Sequence, residues 1–156
     1  MARIGVISDT HGLVRPEAVA ALAGVGHIVH AGDVGSADVL AELRKVAPVT
    51  AVRGNNDKGA WASALAISEV IEVAGRSIYV LHDVAELDLD PARAGFAVVV
   101  TGHSRKPSVT TKNGVLFVNP GSAGPRRFKL PITVAVLDVS GSRVHARIHE
   151  LMLAAT

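Results

Sequence analysis

Acidic, imidazole and amide side chains occur in short clusters along this 156-residue chain, and each cluster follows a short apolar run. The clusters are Asp9-Thr10-His11, Gly32-Asp33, Gly54-Asn55-Asn56-Asp57, His82-Asp83 and Gly102-His103-Ser104. They offer oxygen and nitrogen ligands without sulfur, a set that suits Mn, Fe, Zn, Co or Ni rather than Ca²⁺. Asp9 and His11 are two residues apart just after a predicted strand, so one loop can direct both at one ion. The pattern therefore indicates a transition-metal site built from several segments.

The apolar runs that precede these clusters predict the strands that would position them. Strands are predicted at residues 3–7, 27–31 and 48–52, and helices at 16–23, opened by Pro16, and at 36–46, capped by Ser36. This β-α-β-α-β order implies a parallel sheet, and ligands of such sheets bind at the carboxyl ends of the strands. We therefore expect six side chains to converge at one edge: Asp9, His11, Asp33, Asn55, His82 and His103.

The second half of the sequence predicts hairpins instead of alternating strands and helices. Paired strands are expected at 67–73 with 77–81, at 108–111 with 115–118, and at 132–139 with 143–149. A further all-apolar strand is predicted at 97–101. The predicted fold class is α/β, with two packed mixed β-sheets flanked by helices in an α-β-β-α sandwich. We expect residues 1–156 to form a single domain without a cap domain.

Composition excludes several classes of protein. Charged residues make up 19% of the chain and hydrophobic residues 49%, which excludes intrinsic disorder. No run approaches the roughly 18 apolar residues of a membrane span, so no membrane association is expected. The chain has no cysteine, which excludes thiolate chemistry and is compatible with the cytoplasm, its predicted location. A net charge of +2 and only 3% aromatic residues give no strong nucleic-acid signal.

The ordered motifs resemble those of the calcineurin-like metallophosphoesterases, and more narrowly those of the small bacterial and archaeal phosphodiesterases of that superfamily. The motifs are Asp9-x-His11, Gly32-Asp33, Gly54-Asn55-x-Asp57, His82, Gly102-His103 and the stretch Phe117-Val118-Asn119-Pro120-Gly121-Ser122. The resemblance covers residues 4–139. It implies a metallophosphoesterase-like fold and a metal-dependent hydrolase of small phosphodiesters.

The resemblance also implies two divalent metals at one site. The ligand positions of the family correspond here, in chain order, to Asp9, His11, Asp33, Asn55, His82 and His103. The first two belong to the first metal, the third bridges both metals, and the last three belong to the second. Asp33 and His103 are the expected catalytic residues. Manganese is the first choice of metal, with Fe, Zn, Ni and Co as alternatives, and two such ions clamp a phosphoryl group and activate a bridging water.

Arg105 departs from the family pattern, because the last motif usually has a second histidine at that position. A guanidinium has no lone pair to give a metal, so the first metal site would be weak, completed by water or empty. Arg105 would then either hold a phosphate oxygen or form a salt bridge with Asp9 or Asp57. The sequence leaves both alternatives open.

Two further positions depart from the pattern. Asn56 stands where the superfamily often has a histidine that assists the leaving group, and an amide donates a hydrogen bond but transfers no proton at neutral pH. Asp83 follows His82 where glycine is common, and either orients that histidine or begins a loop. Asn55, Asn56 and Arg105 are the expected substrate-binding residues.

Two classes of function compete at this point. A retromer subunit of the same fold works through protein contacts, which makes a non-catalytic or weakly active binding scaffold the alternative to a phosphodiesterase. Arg105 and Asn56 favour the scaffold, whereas the six retained ligand positions favour the enzyme. The expected partners are a small phosphodiester substrate and, through the apolar last hairpin, a second copy of the chain in a homo-oligomer.

Overall fold

The computed structural model describes residues 1–153 and begins with the predicted alternation of strands and helices. The elements are β1 (Ala2–Ile7), α1 (Pro16–Ala21), β2 (His27–His30), α2 (Ala37–Arg44) and β3 (Val49–Ala51). Strand β2 pairs in parallel with both β1 and β3, which confirms the parallel sheet. The strands are short and contain β-branched residues, and most residues of β1 and β2 are buried.

The remaining strands form the predicted hairpins, apart from one strand, at Phe96–Val100, that pairs in parallel with its neighbours. After the short helix α3 (Ala60–Ser63) come β4 (Ser68–Val73), β5 (Arg76–Leu81), β6 (Phe96–Val100), β7 (Ser108–Lys112), β8 (Val115–Asn119), β9 (Thr133–Val139) and β10 (Val144–Glu150). The pairs β4–β5, β7–β8 and β9–β10 are antiparallel. Asn113 and Gly114 both have positive φ, at 52° and 79°, which is the backbone that a tight hairpin turn requires.

Two mixed five-stranded sheets result, and their inner faces pack on each other. The strand order is β10-β9-β1-β2-β3 in the first sheet and β4-β5-β6-β8-β7 in the second. One apolar cluster joins them, with Val6 and Val29 from the first sheet against Val80 and Val98 from the second. Burying each such side chain contributes about 1.5–3 kcal/mol, so this layer fixes the two sheets relative to each other.

The helices cover the other face of the first sheet. Leu22 follows α1, Leu40 and Leu43 lie on α2, and all three pack with Ile7 and Ile28 in a second apolar cluster. The outer face of the second sheet carries a smaller cluster that includes Val99 and Leu87, next to a 3₁₀ helix at Val84–Glu86. No helix within residues 1–153 is long and apolar enough to cross a membrane.

Three local features differ from the sequence prediction. Ser36 occupies the N-cap position of α2, but its side chain makes no capping hydrogen bond. Helix α3 and the 3₁₀ helix were not predicted, because elements of four and three residues show no helical periodicity. None of these differences moves a strand end that carries a polar cluster.

Candidate metal centre

Backbone hydrogen bonds connect the loops that follow the carboxyl ends of the strands in both sheets. The amides of Asp9 and His11 donate to the carbonyls of Gly32 and Asp33, at 3.0 and 2.9 Å. In the second sheet the amide of Gly102 donates to the carbonyl of His82 at 2.9 Å. The backbone amide of His103 then donates to Asp9 Oδ2 at 3.2 Å and connects the two sheets. The predicted convergence at one edge is therefore observed for these loops.

Asp9, Asp33 and His82 form a buried cluster whose ligand atoms all lie within 4.8 Å of one another. His82 Nε2 is 3.3 Å from Asp33 Oδ2 and 4.0 Å from Asp9 Oδ1. His82 Nδ1 donates to the carbonyl oxygen of Ala31 at 2.7 Å, so Nε2 faces the carboxylates. This partner could not be predicted from the sequence, since a backbone carbonyl has no sequence signal. Burial acts to lower the pKa of His82, but Asp33 and the Ala31 carbonyl outweigh it and raise the value, so a metal at Nε2 would bind in competition with a proton.

The cluster passes a direct test of fit for a cation. Asp9 Oδ1 and His82 Nε2 are buried and have no hydrogen-bond partner within the described residues. An unpaired buried polar atom is costly, and a cation among these atoms would satisfy both at once. Carboxylate oxygen and imidazole nitrogen are ligands that divalent transition metals prefer. These residues therefore fit the metal that the motifs imply.

The two carboxyl groups of the cluster have pKa values shifted in opposite directions. Burial raises the pKa of Asp9, although a hydrogen bond from the Ser8 hydroxyl opposes the shift. Burial also acts to raise the pKa of Asp33, but the His82 imidazole and hydrogen bonds from Asn56 outweigh it and lower the value. Asp33 is thus the carboxylate that the protein itself keeps ionised, as a metal ligand must be.

Asn56 holds Asp33 in place. Its backbone amide donates to Asp33 Oδ1 at 2.9 Å, and its side-chain amide donates to Oδ2 at 3.1 Å. The sequence prediction placed Asn56 against substrate, whereas the structure directs its side chain at a predicted ligand. This contact fixes the orientation of the carboxylate, which outer partners of metal ligands commonly do.

Asn55 and His103 lie together at the exposed rim of the cluster. His103 Nδ1 donates to Asn55 Oδ1 at 3.2 Å, and the His103 ring is 5.2 Å from that of His82, edge to face. Asp83 Oδ2 is 3.8 Å from His103 Nε2, while its Oδ1 accepts the Ala85 amide at the start of the 3₁₀ helix. Asp83 therefore faces His103 and begins a loop, and the interpretation that it orients His82 is wrong.

His11 and Arg105 are in direct contact on the other side of the cluster. Arg105 Nη2 lies 2.7 Å from His11 Nε2, which is itself 3.9 Å from Asp9 Oδ1 and 3.6 Å from Asp33 Oδ2. Within residues 1–153, Arg105 forms a salt bridge with neither Asp9 nor Asp57, so that alternative is not observed. Asp57 instead accepts hydrogen bonds from backbone amides, and these belong to Val34, Gly35 and Gly54.

The backbone at the cluster is strained. Residues with side chains and positive φ are uncommon, and five of them surround the site: Asp9, His11, Asp33, His103 and Arg105. Such conformations cost about 1–3 kcal/mol each and persist where the surrounding structure imposes them, often at functional sites.

Asn119 stabilises the loop of His103 by donating to the carbonyl of Gly102 and to Ser104 Oγ, two contacts that the sequence did not predict.

Gly54→Ala will destabilise the fold and weaken metal binding, because a Cβ at this position would overlap the backbone nitrogen and Oδ1 of Asp33. We expect a loss of about 1–3 kcal/mol in the free energy of unfolding, measured with urea. Gly141→Ala is the control, since the nearest atom to its Cβ would be the Ala74 carbonyl at 3.9 Å. Equal stability of the two variants would contradict this packing.

The comparison with known proteins assigns the family. The calcineurin-like phosphoesterase superfamily domain matches residues 2–142. The chain belongs to this superfamily. A protein of Methanothermobacter thermautotrophicus named a probable metallophosphoesterase is 34% identical over 157 aligned positions, which cover 93% of this chain and 90% of that protein. The resemblance drawn from the motifs is confirmed.

Several solved structures share the fold of this chain. An archaeal phosphodiesterase superposes with a TM-score of 0.77 at 22% identity and covers 94% of this chain and 99% of its own. Vps29 of Entamoeba histolytica in complex with Zn²⁺ superposes with a TM-score of 0.73 at 20% identity. The match covers 95% of this chain and 98% of the Vps29 chain. These likenesses confirm the two-sheet metallophosphoesterase fold. Family membership supports phosphoesterase activity, and the Asp9–Asp33–His82 cluster is a group that could bind a metal.

Proposed function

We propose that the protein hydrolyses small phosphodiesters with a divalent transition metal, Mn²⁺ as the first choice, in the cytoplasm. The observation that carries the proposal is the pair of buried ligand atoms without partners, Asp9 Oδ1 and His82 Nε2, beside the ionised Asp33. The absence of cysteine supports the location. The archaeal phosphodiesterase of the same fold supports the choice of diester over monoester.

The residues at this site would have three roles: binding the metal, orienting its ligands and contacting the substrate. Asp9, Asp33 and His82 would hold the metal, which lowers the pKa of a bound water and polarises the phosphoryl oxygens when present. Asn56 keeps Asp33 oriented, and the Ala31 carbonyl keeps Nε2 of His82 available. His103 and Asn55, which contact each other at the rim, would bind the substrate.

Turnover of a chromogenic diester tests the proposal. Metal-stripped protein supplied with Mn²⁺ should hydrolyse bis(4-nitrophenyl) phosphate faster than 4-nitrophenyl phosphate, and chelation should stop both reactions. The control is Asp33→Ala purified in the same way, because any hydrolysis that it retains comes from a contaminating enzyme. If neither ester is hydrolysed at saturating Mn²⁺, the proposal that the protein is an enzyme is wrong.

A binding scaffold is the second candidate. Its support is the Arg105–His11 contact, which removes a predicted ligand from the first metal, together with the fold shared with Vps29. A scaffold would bind a metal at the cluster without hydrolysing any phosphoester. The turnover assay therefore separates the two candidates.

Substrates with good leaving groups should be strongly preferred. The Asn56 amide cannot protonate a departing alkoxide, and its side chain already donates to Asp33. General acid catalysis is worth roughly 10²–10⁴-fold, so ethyl 4-nitrophenyl phosphate should react faster than diethyl phosphate by at least this factor. The measurement is kcat/KM for the two diesters at equal Mn²⁺. Similar rates would show that another group supplies the proton.

A further inference from the structure

Arg105 forms a hydrogen bond with His11, one of the predicted metal ligands, and this bond uses the lone pair of His11 Nε2. Arg105 Nη2 lies 2.7 Å from His11 Nε2, and a guanidinium is only a donor, so this nitrogen of His11 must be the acceptor and carry no proton. That lone pair cannot serve a metal at the same time. Since the ring is partly buried, at 22% exposure of its side chain, the contact is not a loose surface pair.

Two other ligand atoms of the site have no hydrogen-bond partner, in contrast to His11 Nε2. Asp9 Oδ1 and His82 Nε2 are buried without a partner, whereas the corresponding atom of His11 is satisfied. Two acceptor atoms are thus available to a metal beside Asp33, whereas the Arg105 guanidinium occupies the neighbouring position at His11. A fixed positive charge there also repels a second divalent ion, because His11 Nε2 is within 3.9 Å of both carboxylates.

We infer that the chain binds one divalent ion, at Asp9, Asp33 and His82, and that the Arg105 guanidinium replaces the second ion. The guanidinium supplies the second positive charge for the phosphate group of the substrate, which Arg binds through charge-assisted hydrogen bonds. This inference rests on the metal site of the proposed function and assigns its stoichiometry and a specificity residue. It accounts for an arginine at the position where the family supplies a histidine ligand.

Metal stoichiometry tests the inference without turnover. Metal-stripped protein is loaded with Mn²⁺, freed of unbound ion by gel filtration, and analysed by elemental mass spectrometry and electron paramagnetic resonance. We expect about one Mn²⁺ per chain with the signal of an isolated ion, and about two with a spin-coupled signal for Arg105→His, which restores an imidazole. Lys106→His is the matched control, because it places the same imidazole on the exposed neighbouring residue and should bind like the wild type.

His11→Ala provides a second test that does not depend on the folding of Arg105→His. Because His11 is not a ligand in this inference, the variant should keep about one Mn²⁺ per chain. Two coupled ions in the wild type, no bound ion in the wild type, or loss of the ion in His11→Ala would each overturn the inference. One isolated ion without any turnover would instead overturn only the proposed function.

Binding of inorganic phosphate tests the second part of the inference. Arg105→Gln keeps a hydrogen-bond donor for His11 but loses the positive charge. In the Mn²⁺-loaded protein, its Kd for phosphate, measured by titration calorimetry, should rise by roughly 10-fold or more. Lys106→Gln should leave this Kd unchanged. Equal Kd values for Arg105→Gln and the wild type would show that the guanidinium does not bind phosphate.

Discussion

Asp33→Ala will abolish both Mn²⁺ binding and phosphoester hydrolysis. Asp33 Oδ2 lies 3.3 Å from His82 Nε2 and 3.6 Å from His11 Nε2, and Asn56 and His82 hold the carboxylate ionised. Asp9 cannot replace it, because Asp9 is itself one of the three side chains of the cluster that would hold the metal. The loss in metal affinity should exceed the roughly 10–100-fold that removal of an outer partner costs.

Titration calorimetry with Mn²⁺ and turnover of the nitrophenyl diester measure the two effects of Asp33→Ala. Asp38→Ala is the matched control, since Asp38 is exposed in the first turn of α2. Its loss removes only a favourable helix-dipole interaction of about 0.3–1 kcal/mol. Near-normal turnover of Asp33→Ala would show that the interpretation of the motifs is wrong.

The strand framework and the place of the site could be predicted from the sequence for physical reasons. Apolar runs such as that of β1 can only be buried, and the polar cluster that ends each run must lie where the strand leaves the core. Parallel pairing of β1 with β2 then brings Asp9 beside Asp33. The turn residues Asn113 and Gly114 fix a hairpin because both have positive φ.

The contacts that define the chemistry could not be predicted in the same way. The Ala31 carbonyl that orients His82 is a backbone group, and backbone groups are alike in every residue. The direction of the Asn56 side chain depends on a turn of the loop after β3, and its contact with Asp33 joins two loops that are far apart in the sequence. Arg105 turns towards His11 from a backbone with φ of 63°, a conformation that no sequence pattern indicates.

Mn²⁺ will raise the melting temperature of the wild-type protein, and this rise connects the geometry of the cluster to its stability. The fold holds two buried ligand atoms without hydrogen-bond partners, Asp9 Oδ1 and His82 Nε2, beside an ionised carboxylate, so a bound cation stabilises only the folded chain. A ligand at 100 times its Kd contributes about 2.7 kcal/mol. For a chain of this size, about 2–4 °C per kcal/mol predicts a rise of roughly 5–11 °C.

Differential scanning fluorimetry of metal-stripped protein across a Mn²⁺ series measures this rise, and an excess of chelator should reverse it. Asp33→Ala provides the control, because its melting temperature should not respond to Mn²⁺ once the site is lost. Arg105→His should show a larger rise than the wild type, since a second ion adds its own binding free energy. A wild-type melting temperature that stays constant through millimolar Mn²⁺ would mean that the buried acceptors hold no metal, and the proposed mechanism would fail with them.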